Sequence, residues 1–189
     1  MARVPYLTQS DLAEKDRDIL ARDISLFRAL ANSPGGARAF AGLGGYIRHK
    51  STLDPRLREL AILQVGWLAR AAYEWSHHVK IGYDFGVSKA DIEALIDETD
   101  GKRSGLDETA HIVLRAAREM TRDGAMAPGT FASLQTRLGN EHVVDLTLTI
   151  AFYNAVVRVL ATLEIDVEPD YQRYLDEFPL PAGPDPVHT

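Results

Sequence analysis

The strongest constraint on the fold is residues 143–163, a segment apolar on most sides and interrupted by Asp145, Asn154 and Arg158. A helix this apolar must be buried, either centrally in a domain or in a subunit interface. Its charged and amide interruptions make it too polar for a lipid-facing span. Thr147, Asn154 and Arg158 fall at i, i+7 and i+11, so they share one narrow polar stripe.

The rest of the chain is punctuated as helices, with no sustained strand alternation between hairpin turns. The expectation is an all-α fold in a single domain. Thr8-Gln9-Ser10-Asp11 opens a charged helix predicted to run to Ala31, where Asn32-Ser33-Pro34-Gly35-Gly36 stops it. A second helix is predicted over residues 37–49, its glycines either weakening it or permitting close packing. Asp54-Pro55 is the clearest start, an N-cap followed by proline at the first helical position. A break near Arg70-Ala71-Ala72 leads into a helix that stops at Gly86, and Ser88 with Asp91 caps the next. Residues 99–105 form a loop, the following helix ends at Gly124, and Pro128 to Gly139 is a short helix before the long apolar one. Residues 1–24 are read as an arm and the start of the charged helix, 25–168 as the helical domain, and 169–189 as a C-terminal arm. Four of the nine prolines lie from Pro179 onward.

A formal charge of −6 without a dense basic run argues against nucleic acid as a partner. The opening residues lack the apolar run of a secretory signal, so the expected location is cytoplasmic, with no membrane partner. The chain contains no cysteine. Disulfides, thiolate nucleophiles and thiol redox chemistry are thereby excluded.

Glu59 sits in the middle of the most apolar predicted helix. Desolvation would raise its pKa towards neutrality, whereas pairing with Arg56 or Arg58 would keep it ionised; a surface salt bridge is the plain structural alternative. Glu74 and His78 are four apart on one helix, the spacing at which a carboxylate orients an imidazole for acid/base work and also the spacing of an ordinary surface pair. Glu74, His77, His78, His49 and His111 are side chains that suit zinc or iron. Because Glu-Trp-Ser-His-His is not a His-Glu-x-x-His helix, no metal ligand is assigned. Neither a phosphate-binding glycine loop nor a Gly-x-Ser-x-Gly elbow occurs.

Leu53-Asp54-Pro55-Arg56-Leu57-Arg58-Glu59-Leu60-Ala61-Ile62-Leu63, followed by Tyr73-Glu74-Trp75-Ser76-His77-His78, resembles the carboxymuconolactone decarboxylase family. That superfamily also contains the AhpD-like alkylhydroperoxidases. Counting their redox motif from Glu59 puts its two cysteines at Ala71 and Glu74 and its histidine at His78. The glutamate and histidine are present and both thiols are replaced, so peroxidase chemistry of that type has no nucleophile. The resemblance spans about residues 25–168 and includes Phe152-Tyr153-Asn154. It implies an AhpD-like multi-helix bundle that assembles as a homo-oligomer, a trimer or hexamer, or else a dimer. It also implies cofactor-free decarboxylation of a small lactone carboxylic acid. His78 would be proton donor or relay, Glu74 its orienting partner and Glu59 a second proton carrier. From the residues themselves, Arg158 with Asn154, and Arg70 behind them, are the candidates for the substrate carboxylate, a structural ion pair being the alternative for Arg158. Another acid/base or metal-assisted activity, or a non-catalytic ligand-binding oligomer, are the competing readings.

Overall fold

A computed structural model describes residues 2–182. Among them there are helices and connecting turns and no strand, as the all-α expectation requires. The centre is α3 (Pro55–Leu68), whose residues from Leu57 to Trp67 are all buried. Its start is as predicted: Asp54 accepts the Leu57 N–H at 3.1 Å and Pro55 occupies the first turn. Such a cap contributes about 1 kcal/mol. Around α3 pack α4 (Ala72–Asp84), α6 (Glu108–Arg122) and α7 (Pro128–Leu163), with α5 (Lys89–Thr99) closing one end.

The Ser88–Asp91 capping box forms reciprocally, and Gly86 adopts φ 91° after α4. Gly139 divides α7. At φ 77° and ψ 172° it takes a conformation that other residues avoid, which separates the short and long segments expected there. The long segment is less central than its composition suggests. Val143, Leu146, Ile150, Tyr153 and Val157 face the core, whereas Val144 and Leu148 are 54% and 40% exposed. Asp145 is buried as a cross-tie, accepting hydrogen bonds from Tyr46 Oη at 2.9 Å and Ser51 Oγ at 2.5 Å.

The N-terminal region differs from the predicted continuous helix. It forms 3-10 turns at Gln9–Asp11 and Glu14–Ala21, then α1 (Ser25–Leu30). Arg38 supplies the reason: it binds Asp16, Asp18 and the Lys15 carbonyl, folding this stretch back over α2 (Pro34–His49). Leu12, Ile19 and Leu20 then pack on Ala31 and Ala37 as a small separate cluster. Pro34, read as a stop, instead opens α2, because its fixed φ suits the first helical position. Gly44 lies against the Phe152 ring, 3.5 Å from where a Cβ would stand, so α2 does approach α7 closely through a glycine.

The segment read as a C-terminal arm begins as packed structure. Pro169–Tyr171 and α8 (Gln172–Glu177) lie on α4, with Tyr174 and Phe178 buried and Trp75 Nε1 donating to the Phe178 carbonyl at 2.9 Å. Aromatic burial outweighs the proline-rich character that follows. The proline-rich arm itself lies mostly outside the described residues. Glu168 clasps these pieces together. Its Oε1 accepts from Ser25 N at 2.7 Å and Tyr73 Oη at 3.1 Å, and its Oε2 lies 3.1 Å from His77 Nε2. His77 is sandwiched between the Tyr73 and Tyr171 rings, with centroids 4.0 and 3.6 Å away.

Burial opposes ionisation of Glu168, but His77 and the Ser25 N–H outweigh it, taking its pKa from an ordinary 4.5 to about 2. A depressed folded pKa stabilises the fold above 4.5 and loses that contribution as pH falls towards 2. Glu168→Gln is therefore expected to flatten the dependence of unfolding free energy on pH across this acid window. Denaturant titrations at a series of pH values would check it, and an unchanged slope would refute it.

Candidate functional site

Glu59, Glu74 and His78 meet in one buried cluster, brought together by α3 and α4. His78 Nδ1 lies 2.6 Å from Glu59 Oε2, and its Nε2 lies 2.9 Å from Glu74 Oε1. The Glu59 contact is an aligned hydrogen bond; the Glu74 contact is a close charge approach with poorer alignment. Glu59 Oε1 accepts from Arg58 Nε at 3.0 Å, and the Arg58 guanidinium stands 4.6 Å over the Phe85 ring. Arg58, Glu59, Glu74 and His78 are each no more than 4% exposed.

Burial disfavours charge on both His78 and Glu59, yet their mutual attraction prevails. The His78 pKa is held above its ordinary value, chiefly by Glu74 and then Glu59. That of Glu59 is held below its ordinary value by His78 and Arg58. The cluster thus favours the charged pair of a His78 imidazolium with the Glu59 carboxylate, which is also bonded to the Arg58 guanidinium. This settles the alternative posed from sequence: Glu59 is buried and paired, not a surface residue.

Glu74 and His78 line a cavity of about 200 Å³, while Glu59 stands behind the imidazole. Phe27, Phe40, Phe152 and Tyr153 form its aromatic wall, and Arg22, Arg48 and His49 its basic rim. Tyr153 meets the His78 ring edge-on at 5.0 Å and its hydroxyl accepts from Arg48. Burial, reinforced by Glu74, pushes the Tyr153 pKa up, which keeps it a neutral phenol. Arg22 has no carboxylate partner among the described residues, and burial beside the cavity together with Arg48 lowers its pKa. Two guanidinium groups facing one concavity favour an anionic occupant.

The predicted anion clamp lies elsewhere. Arg158, Asn154 and Arg70 do come together, but around a different cavity that shares no lining residue with the first. Arg158 is exposed and bonds back to Asn154 on its own helix. The rim of the first cavity was missed in the sequence. Its one available signal was the pair Arg48-His49 closing the glycine-rich α2.

The histidines considered as metal ligands are dispersed. His77 belongs to the Glu168 clasp and His111 pairs with Glu98 on α5, while both ring nitrogens of His78 face carboxylates. Among the described residues, no group of three or more such side chains is arranged to hold a metal ion.

Residues 34–100 match the carboxymuconolactone decarboxylase family, a stretch that carries α2 to α5 and hence Glu59, Glu74 and His78. The resemblance read from these residues is borne out. Solved structures agree on the fold. One is an alkylhydroperoxidase AhpD core, an uncharacterized peroxidase-related protein from Ralstonia eutropha JMP134, at 16% identity and TM-score 0.77, covering 92% of this chain and 95% of that one. A debrominase, Bmp8, solved as a cysteine-to-alanine variant with 2,3,4-tribromopyrrole, is 19% identical at TM-score 0.77, covering 94% and 97%. A peroxidase-related protein from Silicibacter sp. TM1040 is 18% identical at TM-score 0.71, covering 90% and 97%. No curated protein matches by sequence. The fold is therefore the AhpD-like helical one, here without a cysteine.

Proposed function

We propose that this protein is a cofactor-free carboxy-lyase acting on a small unsaturated lactone acid of the 4-carboxymuconolactone type. The observation that supports this reading is a buried Glu59–His78–Glu74 proton relay opening onto an aromatic cavity rimmed by two arginines.

Loss of carbon dioxide leaves an electron pair that spreads into the conjugated lactone, and the resulting carbanion takes up one proton. The chain must hold the substrate anion, stabilise the developing enolate oxygen and deliver that proton to carbon. Arg22 and Arg48 serve the first two needs. For the third, Glu74 lines the cavity and His78 lies directly behind its Oε1, so the proton passes from the imidazolium through Glu74 or from His78 itself. Glu59 keeps the imidazole charged. Glu74 is thus a participant rather than only an orienting partner. The debrominase similarity suggests that a planar ring fits such a pocket, but with no cysteine here a thiol-dependent step is not transferred.

The test is a turnover assay on 4-carboxymuconolactone without added metal or cofactor, following loss of ultraviolet absorbance. Arg22→Gln is expected to raise KM about tenfold, with the unfolding midpoint nearly unchanged. Turnover by the parent with an unchanged KM in this variant would refute the anion role. Binding without turnover would favour the ligand-binding alternative.

A further inference from the structure

Decarboxylation of an unsaturated lactone acid gathers negative charge on one atom in particular. When the bond from the ring carbon to the carboxylate breaks, carbon dioxide leaves and the electron pair enters the conjugated ring. The charge then rests on the exocyclic lactone oxygen until a ring carbon takes a proton from Glu74 or His78. While it does so, that oxygen needs a hydrogen-bond donor that keeps its own proton.

Tyr153 has this character. It comes from the core-facing side of α7 and is buried in the wall of the cavity that Glu74 and His78 also line. Its ring is fixed on two sides, edge-on to His78 at 5.0 Å and to Phe152 at 5.5 Å, so packing sets its direction before any ligand arrives. The hydroxyl oxygen accepts from the Arg48 side chain, whose guanidinium can only donate. An oxygen engaged in this way turns its own proton away from the guanidinium, and the bond makes that proton a stronger donor. Burial and Glu74 oppose formation of the phenolate, so the proton is shared with an acceptor rather than given up to it.

We propose that Tyr153 is a further catalytic residue, whose phenol donates to the lactone oxygen as the enolate forms, with Arg48 acting through it. The reaction it serves rests on the decarboxylase reading, but the donor itself can be tested without turnover. Tetronate is a planar five-membered lactone that is already an enolate at neutral pH, with charge on its carbonyl oxygen. Tetrahydrofuran-2-carboxylate is of similar size and carries its charge on a carboxylate alone. In calorimetric titrations of the full chain, Tyr153→Phe is expected to bind tetronate about tenfold or more weakly than the parent and tetrahydrofuran-2-carboxylate equally well, with its unfolding midpoint nearly unchanged. Arg22→Gln should weaken both. In turnover of 4-carboxymuconolactone, Tyr153→Phe should lose about 10²–10³-fold in kcat while KM moves by less than about threefold. Tyr153-dependent tetronate binding in a parent that does not turn over the lactone acid would keep the donor and remove the decarboxylase reading. No tetronate binding by the parent, tetronate bound equally by Tyr153→Phe, equal losses for the two probes, or a kcat within about threefold of the parent would each overturn the proposal.

Discussion

Replacing Glu59 by alanine is expected to lower the unfolding midpoint by on the order of 10 °C. The carboxylate is fully buried and bonds both His78 and Arg58, so its removal strands two cations in a desolvated site. Breaking a buried pair from one side costs about 3–5 kcal/mol. In a chain of this size each kcal/mol shifts the midpoint by roughly 2–4 °C. Glu59→Gln, which keeps the volume and one acceptor oxygen, should lose less. The pH dependence has a definite sign. The His78 pKa is raised on folding, so the stability it contributes is complete below its unfolded value and fades as pH rises through the folded one. The alanine penalty should therefore shrink on the alkaline side, where a neutral imidazole no longer needs Glu59. Calorimetric scans across pH would show this, and a midpoint within about 2 °C of the parent would contradict the paired, buried arrangement.

His78→Gln is expected to reduce kcat by about 10²–10⁴-fold on a lactone acid that the parent turns over, with KM changing little. Glutamine can hydrogen-bond in the relay but cannot carry its proton. The parent rate should fall as pH rises through the elevated His78 pKa, and the variant should lack that limb. A kcat within about threefold of the parent would remove His78 from the proton path.

Local chemistry made much of this legible in advance. Asp54-Pro55 and the Ser88–Asp91 box act within a few residues of themselves, so their helix starts could be read directly. Glu74 and His78 were legible because four residues return a helix to the same face, and Glu59 because of its distance from them in a resembling motif. What failed was tertiary. Arg22 joins Arg48 of α2 at the cavity because the N-terminal turns fold over α2, held there by Arg38 and its carboxylates across twenty or more residues. The misplaced clamp has a simpler cause. Successive residues on a helix differ by about 100°. Tyr153 points at His78, and Asn154, the next residue, faces the other cavity with Arg158. The apolar composition of residues 143–163 likewise indicated burial without saying which side would be covered, and Val144 and Leu148 remain outside.

The two adjacent histidines of α4 give that helix two duties. His78 turns towards the charged cluster and the cavity; His77 turns towards Tyr73, Tyr171 and Glu168, which also accepts from the Ser25 N–H at the start of α1. The helix that carries Glu74 and His78 is the same helix against which Glu168, Tyr171 and the start of α1 are held. Under the proposed function, alterations near residue 168 would reach the Glu74–His78 cavity through α4 as well as loosening the clasp itself.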